Sequence, residues 1–319
     1  MRVPLPAAMI TTLTAMPESR KRWWKLLIIG SALVLAAGCS TLRVAYSSGP
    51  TLAWWQLDGW IDADRQQAPQ VKAALDRWFA WHRSTQLAPT AALLADAREQ
   101  VLHPVTPEGV CRWNAQAQAL LQPALARALE EAADLVPLLT EANLKAMEAK
   151  GAREIAEDRE KFLQGDAAER LAESVKRTRE RFERIYGRLD EPQLAVLRAS
   201  VAELPLDAAR WLADRERRQQ QTVATLRRLV AERASREQRV AALRALAEGA
   251  MASPDPQRRA QQQRLAEANC ALSARLHNAT TPAQRERARA NLQGWENDLR
   301  AVMRPPSSPL GTATAAPST

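Results

Sequence analysis

Residues 166–189 read DAAERLAESVKRTRERFERIYGRL, and this stretch decides the fold. Asp166 and Glu169 stand in the capping-box relation, a polar N-cap followed three residues later by a side chain that returns the hydrogen bond. Behind them Leu171, Val175, Thr178, Phe182, Ile185 and Leu189 step by four and three. A strand would alternate every second residue; this spacing lays a narrow apolar seam along a helix, as in coiled-coil packing. Gly165, just upstream, suits the left-handed residue that ends a preceding helix. That preceding helix is capped by Thr140, and its looser seam of Leu144, Met147, Ile155 and Phe162 is interrupted by Gly151 and Asp158. The small residue allows close approach of another helix. The pattern predicts a helical hairpin over about 140–189.

The remaining chain agrees with a helical reading. Of 319 residues, 46% are apolar and 25% charged, an ordinary globular balance. Glycine is scarce, at 11 residues. Ala, Leu, Arg, Gln and Glu dominate, while the β-branched and aromatic residues that strands favour are thin. An all-β fold, a Rossmann-type sheet and a collagenous chain are excluded. The expected class is all-α, an elongated multi-helix bundle with no significant sheet. Pro69 opens a helix carrying Val71, Leu75, Trp78 and Phe79 on one face, and Thr90 caps a short one ending at His103-Pro104. Thr106-Pro107 starts a long helix that Pro123 kinks or divides and Pro137 closes. Asp190 caps a short helix, and 206–234 reads as one long helix. Its stretch DRERRQQQ, 214–221, has no apolar residue, so it either projects into solvent or bridges parts of the fold. After the break at Ser253-Pro254-Asp255-Pro256, helices are expected over 255–278 and from Thr281 onward. Residues 304–319 are rich in Pro, Ser, Thr and Ala and read as a disordered tail. The helix starts LTEAN at 139–143, LDEPQ at 189–193 and TTPAQ at 280–284 recur without a fixed period, so a solenoid is not supported. Cap chemistry is what repeats.

The first forty residues read as an address. Arg20, Lys21, Arg22 and Lys25 flank an apolar run over 26–37, followed by Gly38-Cys39-Ser40. A run this short cannot span a bilayer, which needs about 20 residues, and the pattern is that of a secretory signal. Leu35-Ala36-Ala37-Gly38-Cys39 resembles the lipobox of bacterial lipoproteins, with Ala36 where leucine is usual. The resemblance implies a signal peptide over 1–38, lipidation of Cys39, an acylated tether over 39–50 and a folded domain over 51–303. Ser40 after the cysteine implies the outer membrane, with the body on the periplasmic side. Several acyl chains on one residue anchor firmly where a single chain does not. Met16 would give a tighter presequence than Met1. Cleavage removes five of the 45 basic and one of the 36 acidic residues, lowering the net charge from +9 to +5. The basic balance therefore gives little reason to expect nucleic acid.

With Cys39 acylated, Cys111 and Cys270 remain. In an oxidising periplasm the pair reads as a disulfide, the alternative being two separate buried thiols.

Candidate chemistry is sparse. The three histidines, His82, His103 and His277, belong to no H-E-x-x-H pattern, and the chain has no C-x-x-C, glycine-rich phosphate loop or G-x-S-x-G. No metal, cofactor or catalytic residue is expected. One cluster remains as a possible ligand or membrane surface: Trp54, Trp55 and Trp60 with Asp58 and Asp62. Carboxylates beside aromatics can form a glycan cleft, and tryptophans near a lipid anchor can lie at a membrane interface. Core packing of the tryptophans is the third reading. The basic stretch 176–188 carries Glu180 and Glu183, which makes it a solvated face with intrahelical ion pairs.

The segments Asp58-Gly59-Trp60-Ile61-Asp62, Arg77-Trp78-Phe79-Ala80-Trp81-His82-Arg83, Cys111-Arg112-Trp113 and the span from Thr280 to Leu299 resemble an uncharacterised family of Gram-negative helical lipoproteins, known only as a domain of unknown function. The resemblance extends over nearly the whole mature chain and implies no activity. The helix starts are also faintly similar to the LTxxQ-type periplasmic chaperones. Together these features lead to the expectation of a non-enzymatic protein, attached to the membrane by its N-terminal lipid, that binds envelope proteins or client chains through helical surfaces. A peptidoglycan-binding or cell-wall-active protein using the cluster at 54–64 is the alternative.

Overall fold

Side-chain caps set where most of the helices begin. The computed structural model describes residues 41–304, and these form twelve α-helices, with no strand among the described residues. They are α1 (Thr41–Ser47), α2 (Gly49–Ile61), α3 (Gln67–Thr85), α4 (Leu87–Gln100), α5 (Pro107–Leu135), α6 (Glu141–Leu163), α7 (Ala167–Tyr186), α8 (Glu191–Ala202), α9 (Ala208–Ala231), α10 (Arg236–Met251), α11 (Pro256–Asn278) and α12 (Pro282–Met303). A short 3-10 turn, Val136–Leu138, follows α5. Thr140, Asp166, Asp190, Ser235 and Thr281 each close a complete capping box. Each box satisfies backbone N–H groups that the first helical turn leaves without a partner.

Several elements differ from the sequence expectation. The tether expected over 39–50 is largely helical within the described residues: α1 packs against α12, and the Tyr46 hydroxyl lies 3.0 Å from His82 Nδ1. The folded body therefore begins before residue 51. Thr90 does not start a helix; α4 begins at Leu87, and the Thr90 hydroxyl donates back to the Gln86 carbonyl at 2.8 Å. Helix α5 runs unbroken through Pro123. The long helix expected over 206–234 ends at Ala231, and Ser235 opens α10.

The largest difference is the hairpin. Gly165 makes the expected left-handed turn at φ +80°, yet α6 and α7 find different partners. Helix α6 packs chiefly on α9 and α2, while α7 packs on α8 and α12. The interruptions in the α6 seam explain this choice. The Gln219 side chain of α9 fills the space that a Cβ on Gly151 would take, so α9 packs into the gap the glycine leaves. Arg215 of α9 binds Glu154 at 2.7 Å and also Asp158. The polar stretch of α9 is thus a bridge. The α7 seam goes elsewhere: Val175, Phe182 and Leu189 join Leu194, Leu197, Leu272 and Leu276, and Ile185 joins Ala288 and Leu292.

The core is accordingly split. One cluster of Leu144, Val223, Leu226, Leu229 and Leu243 lies between α6, α9 and α10, and another lies between α7, α8 and α11. Smaller clusters join α4 to α12. Ionic ties accompany them. Buried Glu131 of α5 accepts from Arg77 and Arg127, both at 2.7 Å, and buried Glu296 of α12 accepts from Arg98 at 2.9 Å and from Arg300. Sharing each carboxylate between two guanidiniums offsets its desolvation.

Capping boxes also meet in pairs. Asp64 and Gln67 cap one another ahead of α3: Asp64 Oδ1 accepts from the Gln67 N–H at 2.8 Å, and Gln67 Oε1 from the Asp64 N–H at 3.0 Å. The Gln67 amide then donates to the Leu138 carbonyl at 2.6 Å, two residues before the α6 cap. Asn143, in the Thr140 box, donates to the Asp62 carbonyl at 3.2 Å, two residues before Asp64. The two amides also bond each other. The same arrangement recurs at the starts of α8 and α12. Gln193 donates to the Ala279 carbonyl at 3.0 Å, Gln284 donates to the Arg188 carbonyl at 2.9 Å, and the two amides bond at 2.7 Å. Each junction locks two helix-turn-helix corners together.

Candidate functional site

The Trp/Asp cluster lies at the N-terminal edge of the fold. No residue of α2 is fully buried. Trp54 and Trp60 are half-buried, and the Lys72 ammonium sits 4.6 Å from the centre of the Trp54 ring. Trp55 points outward and is 65% exposed, with Leu52 at 48%. Leu52, Trp55, Gln56 and Gly59 follow helical spacing and are all exposed, so the outer face of α2 carries no charge. Val44 of α1 and Leu57 of α2 are exposed as well.

The two aspartates do not form a matched pair. Asp58 Oδ1 accepts from the Ala63 N–H at 3.1 Å and stabilises the end of α2. Asp62 is the left-handed residue closing that helix, at φ 49°, and its side chain is exposed. Both serve the corner that carries the first capping junction.

The histidines are engaged in the framework. His277 is buried, with Nδ1 2.8 Å from the Tyr186 hydroxyl and Nε2 2.8 Å from the His103 carbonyl. This network assigns the proton to Nε2, leaving Nδ1 to accept from tyrosine. Burial holds the imidazole pKa below its ordinary value and pushes Tyr186 up to about 12. His82 stacks on Trp78 at 4.7 Å, and burial lowers its pKa too. Among the described residues, no group of three or more His, Cys, Asp or Glu side chains is placed to hold a metal.

Cys111 of α5 and Cys270 of α11 are joined by a disulfide, with Cα atoms 5.5 Å apart across 159 residues of sequence. The bond crosses between helices that already pack together. Cys39 and the segment 1–38 lie outside the described residues, as does 305–319. Among the described residues, no helix is long and apolar enough to cross a membrane.

Sequence reasoning missed a groove of about 720 Å³ where the end of α6, the start of α7, the end of α8 and the start of α9 converge. Phe162, Leu163, Leu171, Val201, Leu204 and Leu206 give it an apolar floor. Lys161, Arg170 and Arg177 stand around it. Phe162 and Leu171 were visible as seam residues, but a seam residue left exposed beyond its partner is recognised only once the partner is known. The basic stretch 176–188 behaves as expected where Arg179 meets Glu183 at 2.9 Å, while Arg177 turns toward Phe162.

A family of unknown function, DUF6279, matches residues 59–248. The match is narrower than the span expected from the sequence, since the segment 280–299 and Cys270 fall beyond it. No curated protein and no solved structure matches the chain.

Proposed function

We propose, from the premise that this chain belongs to the family of unknown function DUF6279, that it is a lipid-anchored, non-enzymatic binding protein of the periplasmic face of the outer membrane. Acyl chains on Cys39 would hold it there, and its helical surfaces would receive envelope proteins or client chains. The observation that carries this reading is the uncharged outer face of α2, with Trp55 and Leu52 exposed, within twenty residues of Cys39. Tryptophan favours the membrane–water boundary because its ring is apolar and its N–H is polar. An anchor at Cys39 and an apolar edge at α2 would together orient the body, leaving the far grooves free for partners.

Three measurements test this. Replacing Cys39 with serine should release the protein from the membrane fraction and block processing; unchanged fractionation would overturn the anchor. Brominated acyl chains should quench the tryptophan fluorescence of the lipidated protein, and Trp55→Phe should remove much of the quenched component. The purified protein should also suppress aggregation of an unfolded client. Release of muropeptides from purified peptidoglycan, abolished by Asp58→Asn, would instead establish the cell-wall reading.

A further inference from the structure

The geometry points to the groove between α6, α7, α8 and α9 as the docking site for an acidic amphipathic helix of a partner protein, an inference that rests on the binding role proposed above and gives that partner a chemistry. The first observation is the apolar floor. Leu206, 49% exposed, and Leu171, 39% exposed, both line the groove, so large apolar side chains meet solvent there. Phe162 packs edge-on against Trp211 at 5.3 Å, which fixes the wall between the floor and α9.

The second observation is the charge. Most arginines in α5, α6 and α9 are tied to carboxylates, as the pairs of Arg127, Arg215 and Arg227 show. Lys161, Arg170 and Arg177 are not: among the described residues none of them is in an ion pair. Arg177 bonds Ser174 and lies 4.9 Å from the Phe162 ring centre, Lys161 lies 5.3 Å from the same ring, and Arg170 reaches the Gly165 carbonyl. The single carboxylate of the lining, Asp207, caps the Arg210 N–H at 2.9 Å. The groove is therefore apolar below and cationic above.

That pairing selects the occupant. A helix laid in a groove presents anchors at i, i+3, i+4 and i+7, and carboxylates flanking those anchors would meet the three cations. The apolar lining runs from the end of α6 across α7 and α8 to Leu206, which gives a row of side chains several contacts. The C-terminal segment 305–319 contains no Asp or Glu, so its sequence lacks that charge.

The test uses the full lipidated chain in discs of neutral lipid, with empty discs as blank. The probe is a designed helical peptide with leucine anchors flanked by glutamates; its control carries lysines in their place. The acidic peptide should bind at least about tenfold more tightly, and the preference should reverse in the triple variant Lys161→Glu, Arg170→Glu, Arg177→Glu. These side chains are in no ion pair, and an unchanged melting curve shows that the variant folds. Leu206→Asp, one exposed residue, should weaken binding by itself. A photoreactive group at position 206 should label the acidic peptide. Equal binding of both peptides, no effect of the triple variant, or labelling of phospholipid or of a second copy of this chain would overturn the proposal. Membrane release by Cys39→Ser is read separately, so failure here is distinct from failure of the anchor.

Discussion

The two capping junctions share one wiring scheme but differ in their surroundings. At the first, Gln67 and Asn143 are both buried, and Asn143 serves four partners: the Thr140 N–H and the carbonyls of Ile61 and Asp62, along with Gln67. At the second, Gln193 is buried but Gln284 is only partly covered, and water can reach one side of the pair. The second junction has a different reinforcement beside it, because His277 receives Tyr186, and its carbonyl accepts from Thr280 at 2.6 Å. The lesson is that the same local cap becomes a long-range tie when its amide has a donor to spare. How much it stabilises depends on whether water can replace the lost partner.

Removal of each amide measures that difference. Asn143→Ala should be the most damaging, destabilising by about 3 kcal/mol, since more than one buried group loses its partner at about 1–3 kcal/mol each. Gln193→Ala should cost about 2 kcal/mol and Gln284→Ala about 1 kcal/mol, because the latter site admits water. Urea unfolding gives all three values; equal costs at the two junctions would show that burial does not set their strength. A double-mutant cycle on Gln193 and Gln284 should return a coupling of about 0.5–1.5 kcal/mol, and strict additivity would deny that the two amides act together.

Titration should separate the junctions further. Burial keeps the folded-state pKa of His277 below its ordinary value, so the unfolded chain takes up the proton first. Stability should hold near neutrality and fall as the pH drops below about 6.5. His82 shifts in the same direction, so His277→Gln should flatten part of that limb and a variant lacking both imidazoles should flatten more. On the alkaline side Tyr186 resists ionisation up to about 12, so stability should fall as the pH rises above about 10. Hydrogen exchange should show loosening at 190–193 before 64–67 in both directions. Simultaneous loosening would mean that the two junctions open as one unit.

Much of the helix inventory was legible in the sequence because caps are local. Thr140, Asp166, Asp190 and Thr281 each declare a start within four residues, and each starts a helix. Ser235 carries the same signal with Gln238, one residue past the helix expected over 206–234, and α10 begins there, a start absent from the sequence expectation. Partner choice was not legible. The strict seam on α7 specifies an apolar stripe but not what covers it, so the neighbouring helix looked like its partner when α8 and α12 are. The reason for Asp158 lay on Arg215, 57 residues away. In the candidate site, the tryptophan edge could be read from composition and spacing. The groove could not, because it is made by the ends of four helices whose meeting depends on those pairings.

The mass of the N-terminal peptide of the protein isolated from membranes tests the central claim most directly. The account predicts a chain that begins at Cys39 and carries acyl chains on that residue. A peptide that begins elsewhere, or an unmodified Cys39, would contradict it and remove the reason to place α2 against a membrane.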